Sequence, residues 1–338
     1  MKQAVMTAPG KIEVREVPAP VPGPGEVLLR IRRIGICGSD VHVYHGRHPY
    51  TPYPVVQGHE FSAVVEAVGK GVAGLEPGQK VTALPQIVCG QCPPCRRGDY
   101  HICDELKVEG FQADGVAQEL FVTAAEKVVP LPEAFSFEQG ALVEPAAVAV
   151  HAAARAGALD GKNVVVFGAG PIGNLTAQAA RSAGAAVLIT DLSDHRLEVA
   201  RRCGIDRTSN AASEPLGEAA ERAFGGAGFD VAFECVGAAA TIAAAVAGIN
   251  KGGLIVVVGV FSKPPTVDVG LIQDHELTVR GTLMYRKEDY EAAIAAIAAD
   301  RIVAEPLVGK HFDLDGYLQA YQHIAQAGTE AMKVFIDL

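Results

Sequence analysis

Asn163-Val164-Val165-Val166-Phe167-Gly168-Ala169-Gly170-Pro171-Ile172-Gly173 is a short apolar run that breaks into a GxGxxG turn. An unbroken apolar run of this length suits a strand buried on both faces of a parallel sheet. A helical pattern from Asn174 to Ala183 follows, then a second apolar run, Ala185 to Thr190, ending at Asp191. GxGxxG alone recurs by chance and also fits an ordinary strand-to-helix turn. Here strand, turn, helix, second strand and an acidic residue 18 positions past the last glycine fall in order. That order is the dinucleotide fingerprint. Gly168 makes the turn, Gly170 admits a pyrophosphate, and Gly173 allows the helix to pack closely. The helix N-terminus, with Pro171 and Ile172 beside it, attracts the phosphates. Asp191 accepts hydrogen bonds from ribose hydroxyls and so favours NAD, whereas Arg196 is the nearby cation able to swing over to a 2′-phosphate.

Toward the C-terminus the alternation continues with a strand at Phe229–Cys235, a helix to about Asn250 and an apolar strand at Gly253–Val260. After Gly270 the pattern is mixed: a helix from Lys287 to Asp300 precedes short strand-like runs, one ending the chain at Lys333–Leu338. Toward the N-terminus the first 150 residues read differently. Glu26–Ile34, Ser62–Val68 and Glu119–Val122 mix β-branched with polar residues, and Pro-Gly turns at Pro22–Gly25 and Pro77-Gly78 separate them. Short strands of this kind predict a partly closed barrel. A chain of 338 residues exceeds what one core supports, so two domains are expected.

Cys89, Cys92, Cys95 and Cys103 are separated by gaps of two, two and seven residues, on a loop punctuated by Gly90, Pro93, Pro94 and Gly98. Four thiolates so spaced can close a tetrahedral zinc site with no open position, a structural role. Iron–sulfur ligation uses the same donors and is the alternative. Cys203 and Cys235 lack partners at metal spacing and read as packing residues.

A second cluster is Gly35-Ile36-Cys37-Gly38-Ser39-Asp40-Val41-His42, followed by Gly58-His59-Glu60. Zinc takes thiolate, imidazole and carboxylate together, as few other tasks require. Taken singly, Cys37 also fits a small buried residue and His59 a hydrogen-bonded core histidine. Farther on, Glu144-Pro145 opens an alanine-rich helix to about Ala156, where Glu144 is either a further carboxylate for the cluster or a complement to the helix dipole.

Composition narrows the class. The chain is 49% hydrophobic and 20% charged with a net charge of −10, ordinary for a globular protein and unsuited to nucleic acid. The alanine-rich uncharged stretch Val236 to Asn250 is too short to span a bilayer, so no membrane association is expected. Met1 to Pro20 carries charges throughout and lacks the apolar run of a signal peptide. With seven cysteines, four of them clustered, this predicts metal ligation in a reducing cytoplasm rather than disulfides.

In the order Cys37–His42, Gly58–Glu60, the four-cysteine lobe, Glu144-Pro145, GAGPIG and Asp191, the chain resembles the zinc-dependent medium-chain dehydrogenases/reductases, within them the sorbitol (polyol) and threonine dehydrogenase branch. The resemblance covers essentially the whole chain. It implies an α/β protein: a GroES-like catalytic domain from residues 1–145 and 273–338, with a structural zinc lobe at about 86–106, and a Rossmann domain at 146–272. It implies that Cys37 and His59 ligate a catalytic zinc, with Glu60 and Glu144 as ligands or near it through water. It further implies that Ser39 and His42 relay the proton, with Asp40 behind them, and that the four cysteines hold a second zinc. The small-molecule substrate would be a secondary alcohol such as a polyol or sugar acid. Its hydroxyl proton would leave through Ser39 and cofactor ribose to His42, and its hydride would pass to NAD, giving a ketone. The assembly implied is a homodimer or homotetramer. Met284 falls where sorbitol dehydrogenases carry an arginine, which puts sorbitol itself in question. Threonine or butanediol dehydrogenation is the alternative within the branch. A zinc-free quinone or enoyl reductase and a non-catalytic NAD-binding protein are the readings from other classes.

Overall fold

The computed structural model describes residues 1–338, which divide into two compact units, Met1–Glu144 with Val308–Leu338, and Pro145–Leu307. The second unit reaches beyond the expected boundary at residue 272. The reason is a strand, Thr278–Gly281, that pairs in parallel with Leu254–Val257 and extends the sheet, and a helix, Lys287–Ala298, that follows it. The polar, exposed Thr-Val-Arg-Gly of that strand carries no apolar run by which to recognise it.

In the first unit a seven-stranded sheet is built from both chain ends. Its order is Val308–Asp313, Lys333–Asp337, Glu26–Gly35, Glu60–Val68, Lys80–Ala83 and Val128–Pro130, with Leu120–Ala124 pairing against Glu26–Gly35. The three strand runs expected from sequence are present, their ends moved by one or two residues. Val27, Leu29, Ile31 and Ile34 enter a core with Phe61, Ala63, Val65 and Ile336, and burial of that face holds the sheet in register. The C-terminal strand lies antiparallel to Glu26–Gly35, with Phe335 opposite Gly35, and Gly35 in turn lies opposite Glu60. This register sets Lys333 and Glu60 at the same end of the sheet.

The four-cysteine lobe stands on a two-stranded ladder, Gln86–Ile87 against Lys107–Val108. At its foot Lys127 pairs with the buried Glu109, whose carboxyl is pushed up to about 7 by burial while the Lys127 ammonium opposes the shift. All seven cysteines of the chain are free. The Cys103 sulfur lies 3.5 Å from Cys89 Sγ and 3.8 Å from Cys92 Sγ. Those separations are far beyond a disulfide and match the edge of about 3.8 Å that a tetrahedron with zinc–sulfur bonds of about 2.3 Å requires. Backbone N–H groups of Cys89, Cys92 and Glu105 donate to these sulfurs at 3.3–3.4 Å, which favours thiolates. The residues therefore fit a structural zinc.

The second unit holds a six-stranded parallel sheet ordered Arg207–Asn210, Ala186–Asp191, Asn163–Phe167, Val231–Glu234, Leu254–Val257 and Thr278–Gly281. In chain order this is 3-2-1-4-5-6, the doubly wound arrangement in which dinucleotides bind where the order reverses. Val164, Val165 and Val166 are fully buried, as a strand covered on both faces demands. Phe167 lies opposite Thr190 on one side and Glu234 on the other, so the segments after these strands gather at one edge.

Structural zinc contributes folding free energy directly. Cys92→Ser is therefore expected to lose about one zinc per chain and to lower the melting temperature by several degrees. Metal analysis alongside calorimetry checks this; a variant retaining its full zinc and its melting temperature contradicts it.

Candidate active site

Two segments of the first unit converge on one group of donors. Cys37 leaves the strand Glu26–Gly35 and precedes the helix Gly38–Tyr44, while His59 immediately precedes the strand Glu60–Val68. Ligand atoms of Cys37, His59 and Glu60 all lie within 4.8 Å of one another. The Cys37 N–H donates to Asp40 Oδ2 at 2.9 Å, fixing the turn into the helix. Asp40 is buried and accepts from Gln57 Nε2 at 3.3 Å, and Gln57 Oε1 accepts from the Tyr321 hydroxyl at 2.9 Å. His59 is buried, and its Nδ1 sits 3.6 Å from Asp40 Oδ1 without a hydrogen-bond partner. Burial alone would keep this imidazole neutral, but the Asp40 carboxylate and the Cys37 sulfur outweigh it and hold its pKa well above the ordinary value.

Sulfur, imidazole nitrogen and carboxylate oxygen at this separation fit a single zinc ion, whose bonds of about 2.0–2.3 Å place its ligands about 3–4 Å apart. Three protein donors leave a fourth position open, the arrangement of a catalytic rather than a structural zinc. Glu144 is buried in the first turn of the helix Val143–Ala156, as its proline neighbour predicts, but it stands outside this closed group. Ser39 and His42 lie on the helix Gly38–Tyr44, three positions apart and so on one face.

Sequence reasoning missed Lys333. This residue, 3% exposed, directs its ammonium at Glu60, 1% exposed, donating to Oε1 at 2.8 Å and Oε2 at 2.6 Å. Burial favours the neutral amine, but Glu60, Cys37 and Glu144 together win and raise its pKa above the ordinary lysine value. Gly35 makes room for the pair, since a Cβ there would fall 2.5 Å from Glu60 Oε2. A lone lysine near the chain end, 273 positions from its partner, carries no local signal.

In the second unit the glycine turn is built as its spacing requires. Gly168 adopts φ +94°, and a Cβ on Gly173 would lie 1.8 Å from the Gly168 carbonyl oxygen, so no larger side chain fits. Gly170 precedes the helix Pro171–Ser182, which opens with Pro171 and Ile172. Asp191 ends its strand and accepts from Ala169 N–H at 2.7 Å and Ser193 N–H at 2.9 Å, tying the turn to the neighbouring loop. Arg196 lies beside both, its Nη1 4.0 Å from Asp191 Oδ2 and 3.7 Å from where a Gly170 Cβ would stand. Glu234, unforeseen from sequence, is fully buried and accepts from the N–H groups of Val236 and Gly237 and from the Thr241 hydroxyl, bracing the adjacent loop. Cys203 is buried, and burial pushes its thiol up to about 11, as befits a packing residue. Met284 adopts φ +50°, uncommon for a non-glycine residue, and Tyr285 after it is fully buried against Tyr290.

Comparison with known proteins agrees with both halves of this geometry. The alcohol dehydrogenase GroES-like domain family matches residues 23–133, and the zinc-binding dehydrogenase family matches residues 171–299. A sorbitol dehydrogenase of Halalkalibacterium halodurans is 34% identical over 99% of this chain and 99% of its own. An L-threonine 3-dehydrogenase of Deinococcus deserti is 34% identical over 94% of this chain and 93% of its own. The crystal structure of an alcohol dehydrogenase from Escherichia coli CFT073 complexed with NADH superposes with a TM-score of 0.93 at 30% identity, covering 100% of this chain and 99% of that one. With a three-donor metal site in a GroES-like unit and a glycine turn in a Rossmann unit, the chain belongs to the zinc-dependent medium-chain dehydrogenases/reductases, in the polyol and threonine dehydrogenase branch.

Proposed function

We propose that the protein oxidises a secondary alcohol bearing neighbouring hydroxyls, a polyol or sugar acid, to the ketone, with NAD as hydride acceptor. The observation that carries this reading is the closed group of Cys37, His59 and Glu60, with a second buried carboxylate, Glu144, close enough to act on Lys333. Zinc supplies a Lewis acid that favours the deprotonated form of an oxygen it holds. Cys37 and His59 are its ligands in this reading, with Glu60 as the carboxylate donor and Glu144 nearby. Asp40 positions Cys37 and His59. Ser39 takes the hydroxyl proton and His42, one helical turn along, passes it to solvent. NAD held at the glycine turn would supply the hydride acceptor, so that alcohol and NAD⁺ would give ketone, NADH and one proton.

Carboxylates accept hydrogen bonds from vicinal hydroxyls, and a site built for such bonds rejects analogues lacking them. The similarity to a sorbitol dehydrogenase supports this class, while the threonine dehydrogenase relative keeps a β-hydroxy amino acid as the second reading. Met284 supplies a thioether where sorbitol dehydrogenases carry an arginine, narrowing the choice within the class. Gly168, Gly170, Pro171, Ile172 and Gly173 would cradle the pyrophosphate, with Asp191 placed to accept from the ribose hydroxyls and Arg196 beside it. Two further readings are proposals of the same kind. An exposed edge strand, Thr278–Gly281, with Val279 facing solvent, offers backbone groups to a second copy and supports a homodimer or homotetramer. Seven free thiols suit a reducing cytoplasm, and no helix is long and apolar enough to cross a membrane.

The substrate class is tested by assaying ethanol, 2-butanol, 2,3-butanediol, sorbitol, gulonate and threonine side by side with NAD. Compounds with a hydroxyl vicinal to the reacting carbon should be oxidised best; preference for ethanol or 2-butanol would refute the assignment. Cofactor choice gives a second test. A 2′-phosphate beside the Asp191 carboxylate meets a like charge, which after solvent screening amounts to about 10–100-fold in kcat/KM against NADP. Asp191→Ala should narrow that ratio because Arg196 then faces the phosphate alone. Equal kcat/KM for the two cofactors in the unaltered protein would contradict the reading.

A further inference from the structure

Gln57 stands two positions before His59, and Asp40, Gln57 and Tyr321 are each 1% exposed. A leucine would fill the place of Gln57 without the cost of taking an amide out of water, so a buried amide there calls for an account. Its orientation follows from its neighbours. The Asp40 carboxylate only accepts, so Gln57 turns Nε2 toward it, 3.3 Å from Oδ1 and 3.5 Å from the Asp40 carbonyl oxygen. Oε1 is left on the other side, where the Tyr321 hydroxyl donates to it at 2.9 Å. Tyr321 is itself held: its ring stacks at 4.9 Å on Tyr44, the last residue of the helix Gly38–Tyr44, and packs against Tyr317 in its own helix, Tyr317–Ala327.

Three groups face the two oxygens of Asp40. Oδ2 accepts from the Cys37 N–H at 2.9 Å, whereas Oδ1 meets Gln57 Nε2 at 3.3 Å and His59 Nδ1 at 3.6 Å. Nδ1 is the nitrogen turned to Asp40, so Nε2 is the one left for a metal. A carboxylate that takes the Nδ1 proton into a hydrogen bond makes the imidazole a better metal donor, and one already occupied by an amide does so less. We propose that Gln57 is a positioning residue of the metal site: turned by Tyr321, its amide shares Asp40 Oδ1 with His59 and so limits how firmly the histidine grips the metal. The inference rests on the reading of Cys37, His59 and Glu60 as the zinc site. The arrangement fixes a sign. If the amide competes with His59, removing it strengthens metal retention. If Gln57 and Tyr321 only fasten the helix Tyr317–Ala327 to the segment before His59, removing either loosens the site.

The test uses the full-length protein loaded with zinc and follows zinc release to a chromogenic chelator. Cys37→Ala, which lacks the three-donor zinc, shows by difference which part of the release comes from that site. Gln57→Leu removes the amide at nearly constant volume and should slow release from the three-donor site about 10-fold. Tyr321→Phe frees the amide to turn and should slow release by a smaller factor. The double variant should match Gln57→Leu, because Tyr321 acts through the amide alone. It also leaves no buried hydroxyl without an acceptor, so it replaces Gln57→Leu if that variant does not fold. Unchanged or faster release in any of these variants would overturn the proposal, as would a double variant that differs from Gln57→Leu. Release from Cys37→Ala equal in amount to that from the unaltered protein would overturn the metal-site reading, and the proposal with it.

Discussion

A carboxylate almost wholly removed from water has to be matched by positive charge, and Glu60 organises the first unit around that requirement. Breaking a buried pair by removing one partner costs about 3–5 kcal/mol, because the survivor is left uncompensated. Lys333 satisfies the condition from the far end of the chain, on the C-terminal strand that returns to lie against Glu26–Gly35. The same carboxylate faces Cys37 and His59, so the constraint that ties down this end of the sheet also assembles the donors for a metal. Fold and site here answer to one electrostatic demand.

The second unit answers to a steric demand. A helix whose N-terminus is to meet a pyrophosphate has to approach the strand before it closely, and the Gly173-to-Gly168 contact leaves no space for a Cβ. Asp191 then does two things: it ties down the turn through Ala169 N–H and Ser193 N–H and presents a carboxylate at the strand end. Glu234 braces the loop after its own strand in a similar way, with backbone N–H groups as donors. Asp191 and Glu234 thus both accept from backbone N–H groups, whereas Glu60 is matched by an ammonium.

Much of this was legible from local patterns. The first parallel strand could be read directly, because Val164, Val165 and Val166 form an unbroken apolar run before a glycine turn. The cysteine spacing announced the lobe, where the Cys103 sulfur lies 3.5 and 3.8 Å from two of its partners. Cys37, His59 and Glu60 were singled out together because their residue types are rarely needed together, and they do converge. Three features were hidden for physical reasons. Lys333 is ordinary by sequence and gains its role only from strand pairing across 273 positions. Thr278–Gly281 is an exposed edge strand without alternation, so no local pattern marks it as part of the second unit, which runs to Leu307. Glu144 is buried as its helix start suggested, but a helix start does not fix its distance from Cys37, and it stands outside the closed group.

The central claim is that Cys37, His59 and Glu60 hold a zinc ion that the NAD-linked oxidation of alcohol requires, separate from the zinc of the four-cysteine lobe. Zinc content per chain, measured together with NAD-dependent activity in the unaltered protein and in Cys37→Ala, tests it most directly. The account predicts about two zinc ions falling to about one, with activity lost and the melting temperature little changed. One zinc in both proteins, or undiminished alcohol oxidation by Cys37→Ala, would contradict it.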